Sequence, residues 1–450
     1  MWLKKLKRIH IKTLIRAISL LLLLGMTLPL SAQEGEEVSL PELVNRVFSA
    51  NYQVQIYRNE EQIAYNNNTL GNAGFFPTVD LIADRTIGYN TTTIQFFEGE
   101  ERNRDNARNT SFNAMVEVNW IVFDGFRMFA EKNRLEYLQQ IGALETRYFL
   151  EQTISDVAKT YYELIRQRQL LANFRESQEI SAYRMRLEQK RREVGAAGAL
   201  QYYQSRVDFN TDSAQIVEQI NNIENLSVQI NDQINFPLEQ VLRPADEEIS
   251  FRTLPSPDSL LEMAQAQNRE LRLARLEELL SEILVDLEQS QRYPEVSLFG
   301  NYSYVRSTSE IGITESQRSY GPEFGIRLRL NLYDGGRTNI AINNAELRQN
   351  NQRINRTERE QAIRAAMIQN INLYEALQRQ LSITEESLES ARLSLQIAEE
   401  QLELGAINGY DFRLTQQAFI NVRNDLINFR YQLKSTEIDI RRLSGQLLTR

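Results

Sequence analysis

The sequence predicts an α+β membrane protein made of two copies of one unit, each a strand pair followed by a long helical hairpin. Three observations predict it. The 450-residue chain is internally duplicated, its strands alternate with one apolar face, and neither interval from Gly125 to Gly195 nor from Gly335 to Gly405 contains proline.

The duplication aligns Pro77-Thr78-Val79-Asp80-Leu81 with Pro294-Glu295-Val296-Ser297-Leu298, Phe123-Asp124-Gly125-Phe126-Arg127 with Tyr333-Asp334-Gly335-Gly336-Arg337, and Val194-Gly195-Ala196 with Leu404-Gly405-Ala406. The offset is 217 (294 − 77) before the strand pair, shared by Asn51 and Asn268, and 210 (334 − 124) after it. Seven residues (217 − 210) are lost between the strands of the second copy, which predicts a shorter loop there. Such a repeat fixes which segments do equivalent jobs.

In chain order, residues 1–32 read as a signal peptide. Lys4, Lys5, Lys7, Arg8, Lys12 and Arg16 precede an apolar run from Leu20, and Leu30-Ser31-Ala32 offers a cleavage site before Gln33. A retained anchor is the alternative, but the run is short for a spanning helix and is broken by Pro29. The first repeat covers 33–236, with strands at about 77–90 and 111–123 and a hairpin at about 126–235. Residues 237–262 form an inter-repeat crossover containing Pro237, Pro244, Pro255 and Pro257. The second repeat covers 263–450, with strands at about 294–305 and 320–333 and a hairpin at about 336–445.

The strands show period-two alternation. Phe112, Ala114, Val116, Val118, Trp120 and Val122 share one face, as do Phe324, Ile326, Leu328, Leu330 and Leu332, with Glu117, Arg327 and Arg329 opposite. A soluble sandwich would alternate the same way. Strands of about ten residues, with Phe75, Phe76, Tyr89, Trp120, Phe123, Tyr293, Tyr304, Tyr320 and Tyr333 at their ends, fit a lipid-facing barrel and its aromatic girdle better. The lipid-facing set then includes Val116, Val118, Trp120, Ile326, Leu328 and Leu330. Four strands cannot close a barrel, so further copies of the chain must supply the rest; a trimer supplies twelve.

Each proline-free interval corresponds to roughly 100 Å of helix at ~1.5 Å per residue. Leu381, Leu388, Ala391, Leu395, Ala398 and Leu402 form a seam in one long helix, and Ile154, Val157, Tyr161, Leu164 and Leu171 in the other. The returning helices show Leu414, Ala418, Val422, Leu426, Phe429 and Leu433, and in the first copy Val207, Ile216 and Ile220. Gly195 and Gly405 read as the hairpin tips, and Asn235 and Gly445 as left-handed residues past helix ends.

Composition narrows the chemistry. His10 is the single histidine, there is no cysteine, and neither paired carboxylates nor a Gly-rich phosphate loop stands out. We therefore expect no enzyme, no catalytic or metal site and no cofactor. Without its first 32 residues the chain keeps 45 Lys and Arg (51 − 6) against 60 Asp and Glu, a balance unsuited to nucleic acid.

In this layout the chain resembles the TolC family of outer-membrane efflux proteins over essentially its full mature length. The resemblance is carried by Leu40-Pro41-Glu42-Leu43 with Asn51, the Pro77 and Pro294 strand starts, the Tyr333-Asp334-Gly335-Gly336-Arg337 strand exit, the Leu404-Gly405 tip and the Leu443-Ser444-Gly445 ending. It implies a homotrimer in the outer membrane of a Gram-negative-type cell, with a twelve-stranded barrel continued by a twelve-helix periplasmic tunnel. It also implies a periplasmic adaptor, tied to an inner-membrane pump or secretion ATPase, that contacts the tips at Val194, Gly195, Ala196, Leu404, Gly405 and Ala406. Asp411 matches a position where family members carry an aperture carboxylate, beside Gln201 in the other copy. Three departures stand out. The Tyr and Arg of the family's entrance latch, and the neighbour's Asp that they bond, would stand where this chain has Leu402, Ile407 and Gln201, a further acidic position is Leu414, and a frequent strand-exit proline is replaced by Ile121 and Asn331.

Two residue readings and two functions stay open at this stage. Gly195 and Gly405 are turn residues whether or not an adaptor binds them, and Asp411 follows the N-cap candidate Asn408 closely enough to serve the helix alone. The leading function is a passive exit duct for small molecules or polypeptides in a tripartite efflux or type I secretion system. The alternative is a structural or adhesive trimeric stalk on a barrel anchor. A periplasmic adaptor would leave the four strands unused.

Overall fold

The structure is a computed structural model describing residues 35–448 apart from Ala197, so the segment read as a signal peptide lies outside the described residues. The elements are β1 (Glu36–Val38), α1 (Leu40–Ala50), α2 (Tyr52–Asn67), β2 (Thr78–Gln95), β3 (Glu101–Asp124), α3 (Arg127–Glu193), α4 (Ala199–Gln233) and β4 (Leu242–Pro244). The second half holds α5 (Pro257–Gln267), α6 (Arg269–Gln289), a 3-10 turn (Ser290–Arg292), β5 (Glu295–Ser309), β6 (Ser316–Arg329), α7 (Arg337–Glu403) and α8 (Gly409–Leu443). The two copies match in detail: α3 and α7 are 67 residues each, and α4 and α8 are 35 each. Among the described residues no helix is long and apolar enough to cross a membrane.

Contacts divide the chain into two units. One holds all of β2, β3, β5 and β6 with the adjoining helix segments (Ala50–Ser155, Arg252–Ala376 and the chain from Thr436), and the other holds Asp156–Phe251 and Leu377–Ser435 with the segment ending at Ser49.

In the first unit the four strands form one antiparallel sheet in the order β2-β3-β5-β6. Its register makes one face apolar across all four strands. Val79, Val118, Gly300 and Phe324 form one cross-strand row, Leu81, Val116, Tyr302 and Pro322 the next, and Ala83, Ala114, Tyr304 and Tyr320 a third. Trp120, Leu298 and Ile326 align on the same face, and Leu328 stands opposite Val296. The other face carries the row Asp80, Glu117, Asn301 and Glu323. The apolar side chains are left exposed: Val116 at 45%, Ile326 at 73% and Leu328 at 68%.

Three local expectations need correction. The seven-residue difference between copies lies in the strands, not in a shorter loop: β2 and β3 have 18 and 24 residues against 15 and 14 for β5 and β6. Polar residues expected to loop from Asn90 to Thr110 instead continue the ladder as far as Gln95 opposite Glu101. An antiparallel pair satisfies its backbone groups whatever its side chains are, so apolar alternation marks where lipid ends and not where pairing ends. Second, a bulge at Val122 sets Phe123 opposite Val296, removing Val122 from the regular alternation. Third, β6 ends at Arg329, which leaves Leu330 and Leu332 just beyond the strand.

The residues shared by the two copies have local jobs. Asn51 and Asn268 are the N-caps of α2 and α6, accepting from the backbone N–H of Val54 at 3.0 Å and of Leu271 at 3.1 Å. Asp124 and Asp334 cap the long helices, the former accepting from Met128 N at 3.2 Å and the latter from Thr338 N at 2.8 Å. Between strand and helix, Gly125 adopts φ 70° and a Cβ there would stand 2.4 Å from the Ser290 carbonyl oxygen. Beside it, Phe123, Phe126 and Tyr293 meet edge to face at 5.3 and 6.2 Å, and Trp120 donates its indole N–H to the Phe75 carbonyl at 2.9 Å. A core of Leu260, Ala264, Leu271, Ile363, Met367, Ile440 and Leu443 fixes the helices of this unit.

The second unit contains a parallel pair that sequence reading did not foresee, β1 with β4, aligning Val38 with Pro244. Close by, the fully buried Tyr161 donates its hydroxyl proton to Asp246 at 2.8 Å.

If the apolar face meets lipid, Val118→Arg is expected to cost roughly 2–4 kcal/mol of sheet stability near the bilayer midplane, and Arg329→Gln little. Refolding of the variants into lipid vesicles against denaturant measures both. Equal losses would contradict this assignment of faces.

Candidate functional site at the helix tips

Both tips are built by the same backbone device. Gly195 (φ 77°) and Gly405 (φ 74°) follow the last turns of α3 and α7 in the left-handed region. Gly195 N donates to Arg192 O at 3.1 Å and Ala196 N to Arg191 O at 2.7 Å; Gly405 N donates to Leu402 O at 3.1 Å and Ala406 N to Gln401 O at 2.8 Å. This paired closure needs a residue that tolerates positive φ, most often glycine and sometimes asparagine. Phe236 N to Asn231 O and Gln446 N to Arg441 O, each 2.8 Å, repeat it at Asn235 and Gly445. Each tip leaves one apolar side chain in solvent, Val194 79% and Leu404 84% exposed.

Asn408 caps α8, its side-chain oxygen accepting from Tyr410 N and Asp411 N at 2.9 Å each. Asp411 is exposed in that first turn, where its charge suits the helix N-terminus. Gln201 lines a cavity of about 620 Å³ together with Arg184, Tyr203, Asp208, Tyr410 and Arg413, whereas Asp411 is not among its lining residues. Both aperture candidates are exposed, and only Gln201 lines the cavity.

Behind the cavity lies a set of buried charges that pattern reading missed. Arg413 of α8 grips Asp212 of α4 through two bonds, Nη2 to Oδ1 at 2.8 Å and Nη1 to Oδ2 at 2.9 Å. Ser177 and Ser181 of α3 donate to the same carboxylate, and Gln416 donates to the Ser177 carbonyl at 3.0 Å. Arg184 of α3 pairs with Asp208 and donates to the Gly409 carbonyl at 3.0 Å. Burial, reinforced by the neighbouring Arg413 charge, pulls the Arg184 guanidinium down to about 10. Because this folded value lies below the unfolded one, charging Arg184 opposes folding at neutral pH, and the penalty is relieved only as pH rises past about 10. At the end of α7, Tyr183 donates to Glu403. Glu399 is held above the usual carboxylate range by burial and then by the charges of Glu403 and Glu176.

The missed network explains why the expected stripes on the returning helices were offset. The buried face of α4 runs Ser205, Asp212, Gln219, Ile223, Ser227 and Ile230, leaving Val207 62% exposed and Ile220 37% exposed. On α8 the buried side chains near the tip include Phe412, Gln416, Phe419 and Ile420, and Leu414 is 54% exposed, whereas Leu426 and Leu433 of the expected stripe are buried. Near the tip hydrogen-bonded polar residues occupy seam positions, so an apolar template selects the wrong face there. The long-helix seam was legible: Leu395, Ala398 and Leu402 are buried against Phe412 and Phe419. The seven-residue spacing of Ser205, Asp212 and Gln219 was the available signal.

Among the described residues no group of three or more His, Cys, Asp or Glu is placed to hold a metal. Comparisons with known proteins agree with the resemblance. The family model described as "Outer membrane efflux protein" matches residues 260–446. Outer membrane protein TolC of Vibrio cholerae is 22% identical over 416 residues, covering 91% of each chain. By these measures the chain is similar to TolC-family outer-membrane efflux proteins. The outer membrane protein VceC of Vibrio cholerae shares the fold with a TM-score of 0.74 at 16% identity, over 90% of this chain and 96% of that one. A membrane protein from Pseudomonas aeruginosa does so with a TM-score of 0.77 at 15% identity, over 93% and 94%. These likenesses support an efflux duct in the outer membrane of a Gram-negative-type cell, with a periplasmic extension, and the fold is the α+β barrel-and-tunnel class.

Asp212→Ala removes the two-bond partner of Arg413, leaving it only the longer pair with Asp208 at 3.8 Å and the neutral acceptors Gln416 and Ser181, and is expected to cost about 3 kcal/mol, the lower end for breaking a buried pair. The double change Asp212→Ala with Arg413→Met is expected to recover most of it. Loss of helical signal in denaturant measures both, and a neutral Asp212→Ala would contradict the network's role.

Proposed function

We propose that this protein is the passive exit duct of a tripartite export system, assembled as a homotrimer. The observation that carries the reading is the open sheet. Its outer strands β2 and β6 have unpaired edges beside an apolar face, and open edges do not persist in lipid. Pairing β6 of one copy with β2 of the next gives twelve strands from three chains, a number that encloses a channel. The row Asp80, Glu117 and Glu323 then faces water, and the sheet's apolar rows face lipid.

Energy comes from a partner, since the sequence offers no nucleotide-binding loop. The partner we infer is a periplasmic adaptor tied to an inner-membrane pump or a type I secretion ATPase, docking on Val194, Gly195, Ala196, Leu404, Gly405 and Ala406. Exposed Val194 and Leu404 on rigid glycine turns support it, because a small apolar knob held by satisfied backbone is a ready contact. The cargo is small molecules or polypeptides.

Oxidative cross-linking tests the closure. The chain has no cysteine of its own, so Ala83→Cys on β2 can be paired with single cysteines through 318–326 on β6. A covalent ladder ending at three chains is expected at a subset of pairs; monomers throughout would contradict it.

Gly405→Glu is expected to abolish export while trimer yield is kept, because a Cβ at positive φ strains the turn and a charge replaces the contact surface. Normal export by this variant would remove the tip from the adaptor interface.

If Asp411 from three copies converges at the entrance, the pore prefers cations. The reversal potential in a salt gradient across a planar bilayer is then expected to shift toward zero in Asp411→Asn. An unchanged potential would leave Asp411 as a helix-end residue only.

A further inference from the structure

The apolar face of the sheet does not end in neutral residues. One row beyond Ala83, Ala114, Tyr304 and Tyr320, the same face carries Arg85, Phe112, Arg306 and Arg318 on β2, β3, β5 and β6. Two rows further, Arg108 stands opposite Tyr89. Arg85, Arg108 and Arg306 line one cavity of about 1210 Å³ with Arg104, Thr110, Phe112, Tyr304, Thr308 and Glu310.

The charges are largely uncompensated. Arg104 pairs with Glu310 at 3.1 Å and donates to its carbonyl at 3.0 Å, and Arg108 N donates to the same carboxylate at 3.1 Å. Among the described residues Arg85, Arg306 and Arg318 have no carboxylate partner. All three are exposed.

Their level in the membrane follows from the register. From Trp120 to Phe112 is eight residues (120 − 112) along β3, about 27 Å at ~3.4 Å each and less along the membrane normal once the strand is tilted, which is about the height of an apolar barrel band. Phe112 and Tyr304 meet edge to face at 6.3 Å, an aromatic pair of the kind that marks the interface. The helices join the strands at the other end, after Asp124 and Arg329, so with a periplasmic extension this arginine row lies at the outer leaflet. Arg85 and Arg318 are separated by three strand spacings, roughly 14 Å, which is wide enough to meet more than one headgroup charge.

We propose that this outward-facing row binds the phosphates of a glycolipid of the outer leaflet, with the acyl chains lying on the apolar rows beneath. A guanidinium fork matches a phosphate through two parallel bonds, and here it stands at the edge of a surface that already takes acyl chains. Glu310 limits the site on its loop side by occupying Arg104. The inference rests on the lipid-facing reading of the sheet given above.

The test uses the full-length trimer in detergent, with diphosphoryl lipid A as probe and bound lipid per trimer read by native mass spectrometry. Trimer yield is measured on the same sample, so failure of assembly is separated from failure of binding. Replacing Arg85, Arg306 and Arg318 by Gln is expected to weaken binding about tenfold or more, with Lys replacements intermediate. Should the triple variant fail to assemble, Arg306→Gln alone is expected to give a smaller loss in the same direction. Dephosphorylated lipid A is expected to bind wild type as weakly as diphosphoryl lipid A binds the triple variant, and millimolar inorganic phosphate is expected not to displace the lipid. Undiminished binding by the variants, or indifference to the lipid's phosphates, would overturn the proposal. Displacement by inorganic phosphate would overturn it too, marking a site for free anions.

Discussion

The structure depends on one constraint: a backbone N–H or C=O in lipid must have a hydrogen-bond partner. The four-stranded sheet satisfies its interior ladders and leaves two edges, β2 and β6, beside a face of Val79, Leu81, Val116, Val118, Ile326 and Leu328. The trimeric closure we propose follows from that deficit, and the duplication follows with it, since two hairpins per chain are the unit that closure repeats.

The helices face the opposite problem, too much surface for one chain to cover. Their solution in the described structure is partly polar. Asp212, Arg413, Gln416, Ser177 and Ser181 bond to one another at positions where a simple seam would place leucine. Such a seam is weaker than an apolar one but distinguishes one alignment of helices from its neighbours, because a slip of one residue would leave buried charges unpaired. Val207, Leu414 and Ile220 remain as an exposed apolar surface that neighbouring copies can cover.

Legibility in the sequence followed the physics of each element. Period-two alternation and the absence of proline identified strands and long helices, because one buried face and an unbroken ladder are local requirements. Positive φ at Gly195, Gly405, Asn235 and Gly445 was legible for the same reason. The outer ends of β2 and β3 were not, since paired polar residues carry no alternation signal. Nor was the β1–β4 pair, whose three-residue strands are too short for any period. The buried network at the tips was hidden because its residues are charged; Ser181, Asp212 and Arg413 come together only where α3, α4 and α8 meet. The same limitation applied to the arginine row, which becomes visible only once register puts Arg85, Arg306 and Arg318 side by side.

The central claim is that the sheet is completed by other copies of the same chain and by nothing else. Native mass spectrometry of the detergent-extracted protein measures the number of chains in the particle directly. The account requires three, giving twelve strands from the four that each chain supplies. A stable particle of one or two chains, or one containing a second kind of subunit within the barrel, would contradict it.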